Sequence, residues 1–243
     1  MARLDSEYVN SEYVKVDTHS HTCFSGDSTT TLSEFVDAGQ KSGLDYIAVT
    51  DHSKIEGALK LKTIEDKLPF RVIIGQEQKV PEGELIGLFL TERIPAGLGL
   101  LKTAESIKDQ GGLVIVPHPI DPFRHSLKAN HIQQLLEHGY LDAIESFNSK
   151  TRSDSVTKDV TQLAKRIKVC VTAGSDSHVP EALGSSYLVM EKFTTPQDFI
   201  QNLKTASIVG TYFDPPRQWK PRLVNYELED LKTQLNKASD EKN

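Results

Sequence analysis

The sequence predicts a parallel α/β fold, and three observations carry that expectation. Short apolar runs alternate with stretches of helical periodicity along most of the chain. Histidines and acids recur just past the ends of those apolar runs, where parallel α/β folds keep their chemistry. The length of 243 residues is enough to bury a substantial core as one domain, an α/β barrel in particular.

Residues 1–12 are polar and read as a lead-in. The first strand is expected from Tyr13 to Asp17, followed by a loop rich in turn formers from Thr22 to Thr30. Ser33 is the expected cap of a helix over Glu34 to Ser42, which Gly43 ends. Asp45–Thr50 reads as a strand closing on Asp51-His52, and much of Ile55–Leu68 as a helix. Strands follow over Phe70–Glu77 and Glu84–Leu90, with the turn Pro81-Glu82-Gly83 between them. The pattern then gives a helix over Leu100–Asp109, a strand over Leu113–Val116 and a helix over Leu127–His138. A strand over Leu141–Glu145, a helix over Ser153–Lys165 and a strand over Val169–Ala173 repeat the alternation. Ser186–Met190 is a further strand, and Thr195 caps a helix over Pro196–Lys204. Residues 211–243 read as an extension, with a proline-marked connector from Pro215 to Pro221 and a charged tail, helical or disordered, from Leu223.

Composition narrows the class. Hydrophobic residues make up 37% and charged residues 26%, the balance of a soluble globular chain. No apolar run is long enough to span a bilayer, and Met1–Glu7 lacks the apolar core of a signal peptide. The two cysteines, Cys23 and Cys170, form no disulfide framework, so a reducing cytoplasm is the expected compartment. A net charge of −6 argues against a protein that coats nucleic acid. Three bound dications would cancel that −6, so an acidic chain with a metal site can still attract phosphate.

The chemistry concentrates first in Asp17-x-His19-x-His21. Alternate residues of a strand share a side, so the three can face one way. Two imidazoles on one side make half of a site for a divalent transition metal; two neighbouring surface histidines are the plain alternative. His52, Glu77, His118, Glu145, and Asp176 with His178 each follow a further expected strand. One such coincidence is weak, but six at successive strand ends are hard to produce by chance. A barrel rim would bring them together.

The ordered set Asp17-x-His19-x-His21, Thr50-Asp51-His52, Gly75-Gln76-Glu77, Pro117-His118-Pro119 and Gly174-Ser175-Asp176-Ser177-His178 resembles the PHP family, the polymerase and histidinol phosphatase domain. The resemblance runs from about Val14 to Ile208, and nothing in the chain resembles a polymerase body. It implies a distorted (β/α)7 TIM-like barrel with two or three divalent ions, Zn, Mn or Fe, at its C-terminal rim. Carried over by position, His19, His21, Glu77 and Asp176 would hold one ion. Glu77 would bridge to a second, held also by His118 and Glu145, and Asp27, His52 and His178 would hold a third. Asp17 and Asp51, beside ligand histidines, are read as partners that orient imidazoles.

The activity so implied is a metal-dependent phosphoesterase acting on phosphomonoesters or nucleotides through a metal-activated hydroxide, with Glu77, Asp176 and Arg124 as catalytic groups. Arg124 can clamp a substrate phosphate or be a surface arginine. Asn148, Lys150 and Arg152 can line the same rim or a solvated loop. An exonuclease working on oligonucleotide ends is a second reading, and an inactive binding or regulatory module a third. The expected partner is a small phosphorylated substrate, a nucleotide or a short oligonucleotide, and no membrane. Ligand imidazoles must be neutral, so metal affinity should weaken below about pH 6.

Overall fold

The computed structural model describes residues 12–151 and 153–214. The lead-in before Glu12, the extension beyond Asp214 and Arg152 lie outside the described residues. The chain runs β1 (Tyr13–Ser20), α1 (Leu32–Ser42), β2 (Tyr46–Val49), α2 (Glu56–Lys62), β3 (Arg71–Val80) and β4 (Gly83–Leu88). It continues α3 (Leu100–Asp109), β5 (Leu113–Val116), α4 (Ala129–Glu137), β6 (Ala143–Asn148), α5 (Asp154–Ile167) and β7 (Cys170–Gly174). Last come β8 (Ser186–Glu191), α6 (Pro196–Leu203) and β9 (Ser207–Gly210).

The nine strands among the described residues join one sheet in the order β7-β6-β5-β4-β3-β2-β1-β8-β9. The runs β1–β2–β3 and β5–β6–β7 are parallel. β4 lies antiparallel between β3 and β5 because a two-residue turn, not a helix, joins it to β3. The sheet curls until its ends meet. The Asp176 N–H donates to the His19 carbonyl at 2.7 Å, and the His21 N–H to the Ser177 carbonyl at 3.0 Å. The result is a distorted, nearly closed seven-stranded barrel. β8 and β9 extend it antiparallel beyond β1.

Side-chain alternation sorts inside from outside. Ile73, Ile86, Leu88, Ile115, Ala143 and Ala173 belong to one cluster that fills the barrel. Their strand neighbours Val72, Leu85, Val114 and Ile144 pack outward under the helices. Following the same phase, Glu77 on β3, Glu84 on β4 and Glu145 on β6 point inward. Glu84 is the second residue of its strand, but an antiparallel strand begins where its neighbour ends. All three acids therefore reach one rim.

β1 shows a local exception. Its pairing with β2 advances from Asp17↔Ile47 to Ser20↔Val49, three steps against two. One extra residue reverses the inside–outside phase. Val14 and Val16 are inward before it, and His19 and His21 turn inward after it. Asp17 is left on the other side.

Helix ends follow local chemistry, with some differences from expectation. Thr31, not Ser33, caps α1, through a box in which the Glu34 N–H donates to Thr31 Oγ1 at 3.2 Å and the Thr31 N–H to Glu34 Oε2 at 2.9 Å. Gly43 ends α1 at φ 64°, in the left-handed region. Thr195 caps α6 as expected. The helix expected over Ile55–Leu68 stops at Lys62, with a single 3-10 turn at Glu65–Lys67. There the Glu65 carboxylate accepts the Val72 N–H at 2.6 Å, which ties the connection to β3. β9 carries no alternation that would mark a strand, and all four of its residues are exposed.

Candidate metal centre

The rim gathers His19, His21, Asp27, His52, Glu77, His118, Glu145, Asp176 and His178 into one cluster. Its geometry divides into three corners.

The first corner holds His19 Nε2, His21 Nε2, Glu77 Oε2 and Asp176 Oδ1. The two nitrogens are 3.1 Å apart. Glu77 Oε2 lies 3.4 Å from His19 Nε2 and 3.3 Å from His21 Nε2. Asp176 Oδ1 lies 3.7 Å and 3.4 Å from the same two atoms. A tetrahedral ion with bonds of about 2.1 Å would space its ligands about 3.4 Å apart. The observed edges bracket that value.

Hydrogen-bond roles explain why these atoms face one another. His19 Nδ1 lies 3.0 Å from Glu145 Oε1, so it carries the proton and its Nε2 presents a lone pair. Ser25 Oγ donates to Asp27 Oδ1 at 3.2 Å and accepts the His52 N–H at 3.1 Å. Its remaining lone pair meets His21 Nδ1 at 3.0 Å, so His21 Nε2 is likewise an acceptor. Four acceptors converge with no donor among them. Glu77 Oε2 and Asp176 Oδ1 are buried and have no hydrogen-bond partner among the described residues. Only protons on the imidazoles or a cation can reconcile such groups.

The second corner is Glu77 Oε1 and Glu84 Oε2, at 3.1 and 3.5 Å from His118 Nε2. Ser126 Oγ donates to the His118 carbonyl at 2.7 Å and takes the His118 Nδ1 proton at 3.1 Å, which again leaves Nε2 as an acceptor. The third corner is Asp27 Oδ2, 3.1 Å from His178 Nε2 and 3.5 Å from His52 Nε2. His178 Nδ1 donates to the Asp176 carbonyl at 2.8 Å. Glu77 links the corners, since its Oε2 also lies 3.1 Å from His52 Nδ1. Among the described residues, three groupings have spacing suited to an ion: His19–His21–Glu77, His21–His52–His178 and His52–Glu77–Glu84. Imidazole and carboxylate donors suit Zn, Mn and Fe.

The charges respond to this crowding. Burial opposes charge on His21, but the adjoining Asp176 and Glu77 carboxylates outweigh it and raise its pKa to about 9. His19 is raised well above its ordinary value against the same burial, chiefly by the charges of Asp176 and Glu145. Burial, with the positive charge of Arg124, lowers His118. Burial, with the charge of His21, lowers His178 to about 4. Burial and the Glu77 charge push the Glu84 carboxyl up to about 8. Glu77 is held well below the carboxylate range despite burial, by the charges of His19 and His52. Asp176 is held low likewise, by Arg124 and Lys150.

Local backbone and packing set these positions. Asp176 at φ 51° and His118 at φ 30° both occupy the left-handed region, a strained conformation common where function fixes a side chain. Gly174 stands where a Cβ would strike the His19 Cβ and come within 2.8 Å of Glu145 Oε1. Glycine there lets β7 approach β1.

Two expectations change. Glu145 does not join His118 Nε2. Its Oε1 takes His19 Nδ1, and its Oε2 accepts the His118 N–H at 2.8 Å and the Asn148 amide at 2.9 Å. Glu84 stands in the place expected for it. Asp17 and Asp51 hold backbone N–H groups, and Asp51 also the Thr22 hydroxyl at 2.7 Å, instead of imidazoles. Asp17 accepts the N–H groups of His19, Ser175 and Gly184 at 3.2, 3.0 and 3.3 Å. Asp51 accepts those of Thr22 and Ser25 at 2.7 and 3.1 Å. The bulge in β1 turned Asp17 away, and Asp51 fastens the loop that carries Ser25. The groups that orient imidazoles are Glu145, Ser25, Ser126 and the Asp176 carbonyl.

Three cationic or amide side chains face Asp176. Arg124 hydrogen-bonds Asp176 Oδ2 and lies 3.3 Å from Asn148 Oδ1. Lys150 Nζ is 3.5 Å from Asp176 Oδ1, and the Asn148 amide is 3.1 Å from Asp176 Oδ2. Among the described residues, no helix is long and apolar enough to cross a membrane.

An uncharacterised protein of Methanocaldococcus jannaschii is 38% identical over 165 residues, covering 64% of this chain and 92% of its own. A protein of Vibrio campbellii named "Probable phosphatase" is 25% identical over 217 residues, covering 73% of this chain and 83% of its own. Among solved structures, a two-domain protein of Bacteroides vulgatus containing a predicted PHP-like metal-dependent phosphoesterase superposes with a TM-score of 0.69 at 18% identity. That match covers 82% of this chain and 65% of the Bacteroides chain, so this chain spans about two thirds of that protein's length. The PHP domain family model matches residues 17–213, a span that takes in every side chain of the cluster. On that match, over most of its length, the chain belongs to the PHP domain family.

Proposed function

We propose that the chain is a metal-dependent phosphoesterase that hydrolyses small phosphomonoesters, nucleotides among them, with two or three divalent ions held at its rim. His19, His21, Glu77 and Asp176 would hold one ion. Glu77, His118 and Glu84 would hold a second, and Asp27, His52 and His178 a third. The observation that carries this reading is the first corner, where two imidazole lone pairs and two buried carboxylate oxygens converge at 3.1–3.7 Å. When bound, such ions lower the pKa of water towards neutrality and offset the charge that builds on a phosphoryl group.

The chain's own residues do the rest. Glu145, Ser25 and Ser126 hold three imidazoles in the tautomer that leaves Nε2 free, which is the usual support for a metal-binding histidine. Arg124 presents a planar fork of donors suited to phosphate oxygens. Lys150 adds a point charge, and the Asn148 amide adds a further donor. These three are assigned to bind and orient the substrate phosphate beside Asp176.

An exonuclease reading stands second, because a net charge of −6 is a poor track for nucleic acid. The inactive-module reading stands last, since each corner keeps its histidines and acids. The test is phosphate release by the ion-loaded protein from phosphomonoesters, nucleotides and single-stranded oligonucleotides. Turnover of the small esters, abolished by chelation, is the expected result. A His19→Ala protein with full activity and full metal content would contradict the reading.

A further inference from the structure

The loop between β5 and α4 supports an assignment that rests on the phosphoesterase reading and names what the site selects. Phe123 is the most exposed large hydrophobic side chain among the described residues, at 73%. Single exposed aromatics are ordinary, so exposure alone decides nothing. Its setting does more. The next residue, Arg124, turns inward to Asp176 and Asn148. Phe123 and Arg124 leave the backbone about 3.8 Å apart, one facing solvent and the other the cluster.

The loop that carries them is fastened throughout. The Phe123 N–H donates to Asp121 Oδ1 at 2.9 Å, and the Ile120 N–H to the Leu127 carbonyl at 3.0 Å. Ser126 Oγ donates to the His118 carbonyl at 2.7 Å, and Pro122 restricts the turn from within. The turn that presents the ring to solvent is thus ordered. Tyr212, also exposed, differs: its ring already stacks on Phe147 at 5.0 Å.

We propose that Phe123 is a specificity-determining residue, an aromatic platform beside the phosphate-facing Arg124 that stacks on a flat ring in the leaving group, so that nucleoside monophosphates are preferred over sugar phosphates. A nucleotide carries a phosphate at one end and a flat base at the other, with a ribose spacer between them. Stacking accepts any base, because each has a π-face. The platform therefore selects for a base without selecting which one.

The test uses the full chain loaded with manganese. The ratio of kcat/KM for adenosine 5′-monophosphate to that for ribose 5-phosphate is measured for the wild type, Phe123→Ala and Phe123→Trp. A ratio is insensitive to the fraction of protein that folds. The wild type is expected to favour the nucleotide by roughly tenfold or more, mainly through KM. Phe123→Ala is expected to collapse that preference, and Phe123→Trp to keep it. A wild-type ratio near one, or a ratio that Phe123→Ala leaves unchanged, overturns the assignment. If the loaded protein turns over neither compound, the wider ester panel judges the phosphoesterase reading, and calorimetric binding of the same two compounds still decides the platform. A tenfold binding preference that Phe123→Ala removes supports it, and equal binding overturns it.

Discussion

Glu84 Oε2 lies 3.5 Å from His118 Nε2, although Glu84 stands near the start of a strand and His118 follows the end of one. The antiparallel course of β4 makes this possible, because the start of β4 sits beside the end of β3. An acid outside every strand-end motif thereby faces the same histidine as Glu77. If Glu84 completes the second corner, Glu84→Gln should lose one equivalent of metal and lower turnover by at least about 10- to 100-fold. Its carboxyl is already pushed up to about 8 by burial and Glu77, so the neutral amide should cost the ion-free fold little. Elemental analysis and thermal melting check both outcomes. Unchanged metal content would remove Glu84 from the site.

Glu145 should behave differently. It grips His19 Nδ1 at 3.0 Å from behind, so Glu145→Gln should weaken metal affinity by about 10- to 100-fold while leaving the saturated stoichiometry intact. Titration with a competing chelator gives affinity, and elemental analysis at saturation gives the count. A lost equivalent at saturation would restore Glu145 as a direct ligand.

The pH dependence follows from His21. Its pKa is about 9, above the ordinary 6.5, because its carboxylate partners outweigh burial. In ion-free protein, its proton stabilises the fold fully below about pH 6.5, and that contribution fades as pH rises through about 9. A cation needs the same nitrogen unprotonated, so affinity should climb across this window and binding at pH 7.5 should release protons. The threshold thus lies higher than the value near pH 6 expected for free imidazoles. Calorimetry in buffers of different ionisation enthalpy measures the released protons. Affinity that stays flat from pH 6.5 to 9 would contradict the proposed first corner.

Chelation should also destabilise the fold. A ligand at about 100 times its Kd adds about 2.7 kcal/mol per site to the native state. For a chain of this size, removing one such ion should lower Tm by about 5–10 °C. A melt unaffected by chelation and by added manganese would show that nothing binds there tightly enough to matter.

Much of the barrel was legible because its strands are short, apolar and bounded by turn residues. Leu100–Asp109 and Leu113–Val116 match the expected bounds. Thr31 was missed as a cap because Ser33 offered the same hydroxyl two residues later. The strand-end histidines were legible because parallel strands deliver their ends to one rim. Asp17 was misread because the extra residue in β1 reverses the phase between it and His19. Glu84 carries no strand-end signal, because it stands near the start of β4. The signal was present in the inward phase of Glu84, Ile86 and Leu88, once β4 is seen to run antiparallel to β3. Ser25 and Ser126 carry no spacing signal, since a serine hydroxyl orients an imidazole only through three-dimensional placement.

The central claim is that the rim groups converge to hold cations. Its most direct test is the metal content of the full chain after reconstitution with manganese or zinc and removal of free ion. Two or three equivalents per chain are predicted, falling by at least one in Glu77→Ala. Less than one equivalent in the wild type, with either metal, would contradict the account.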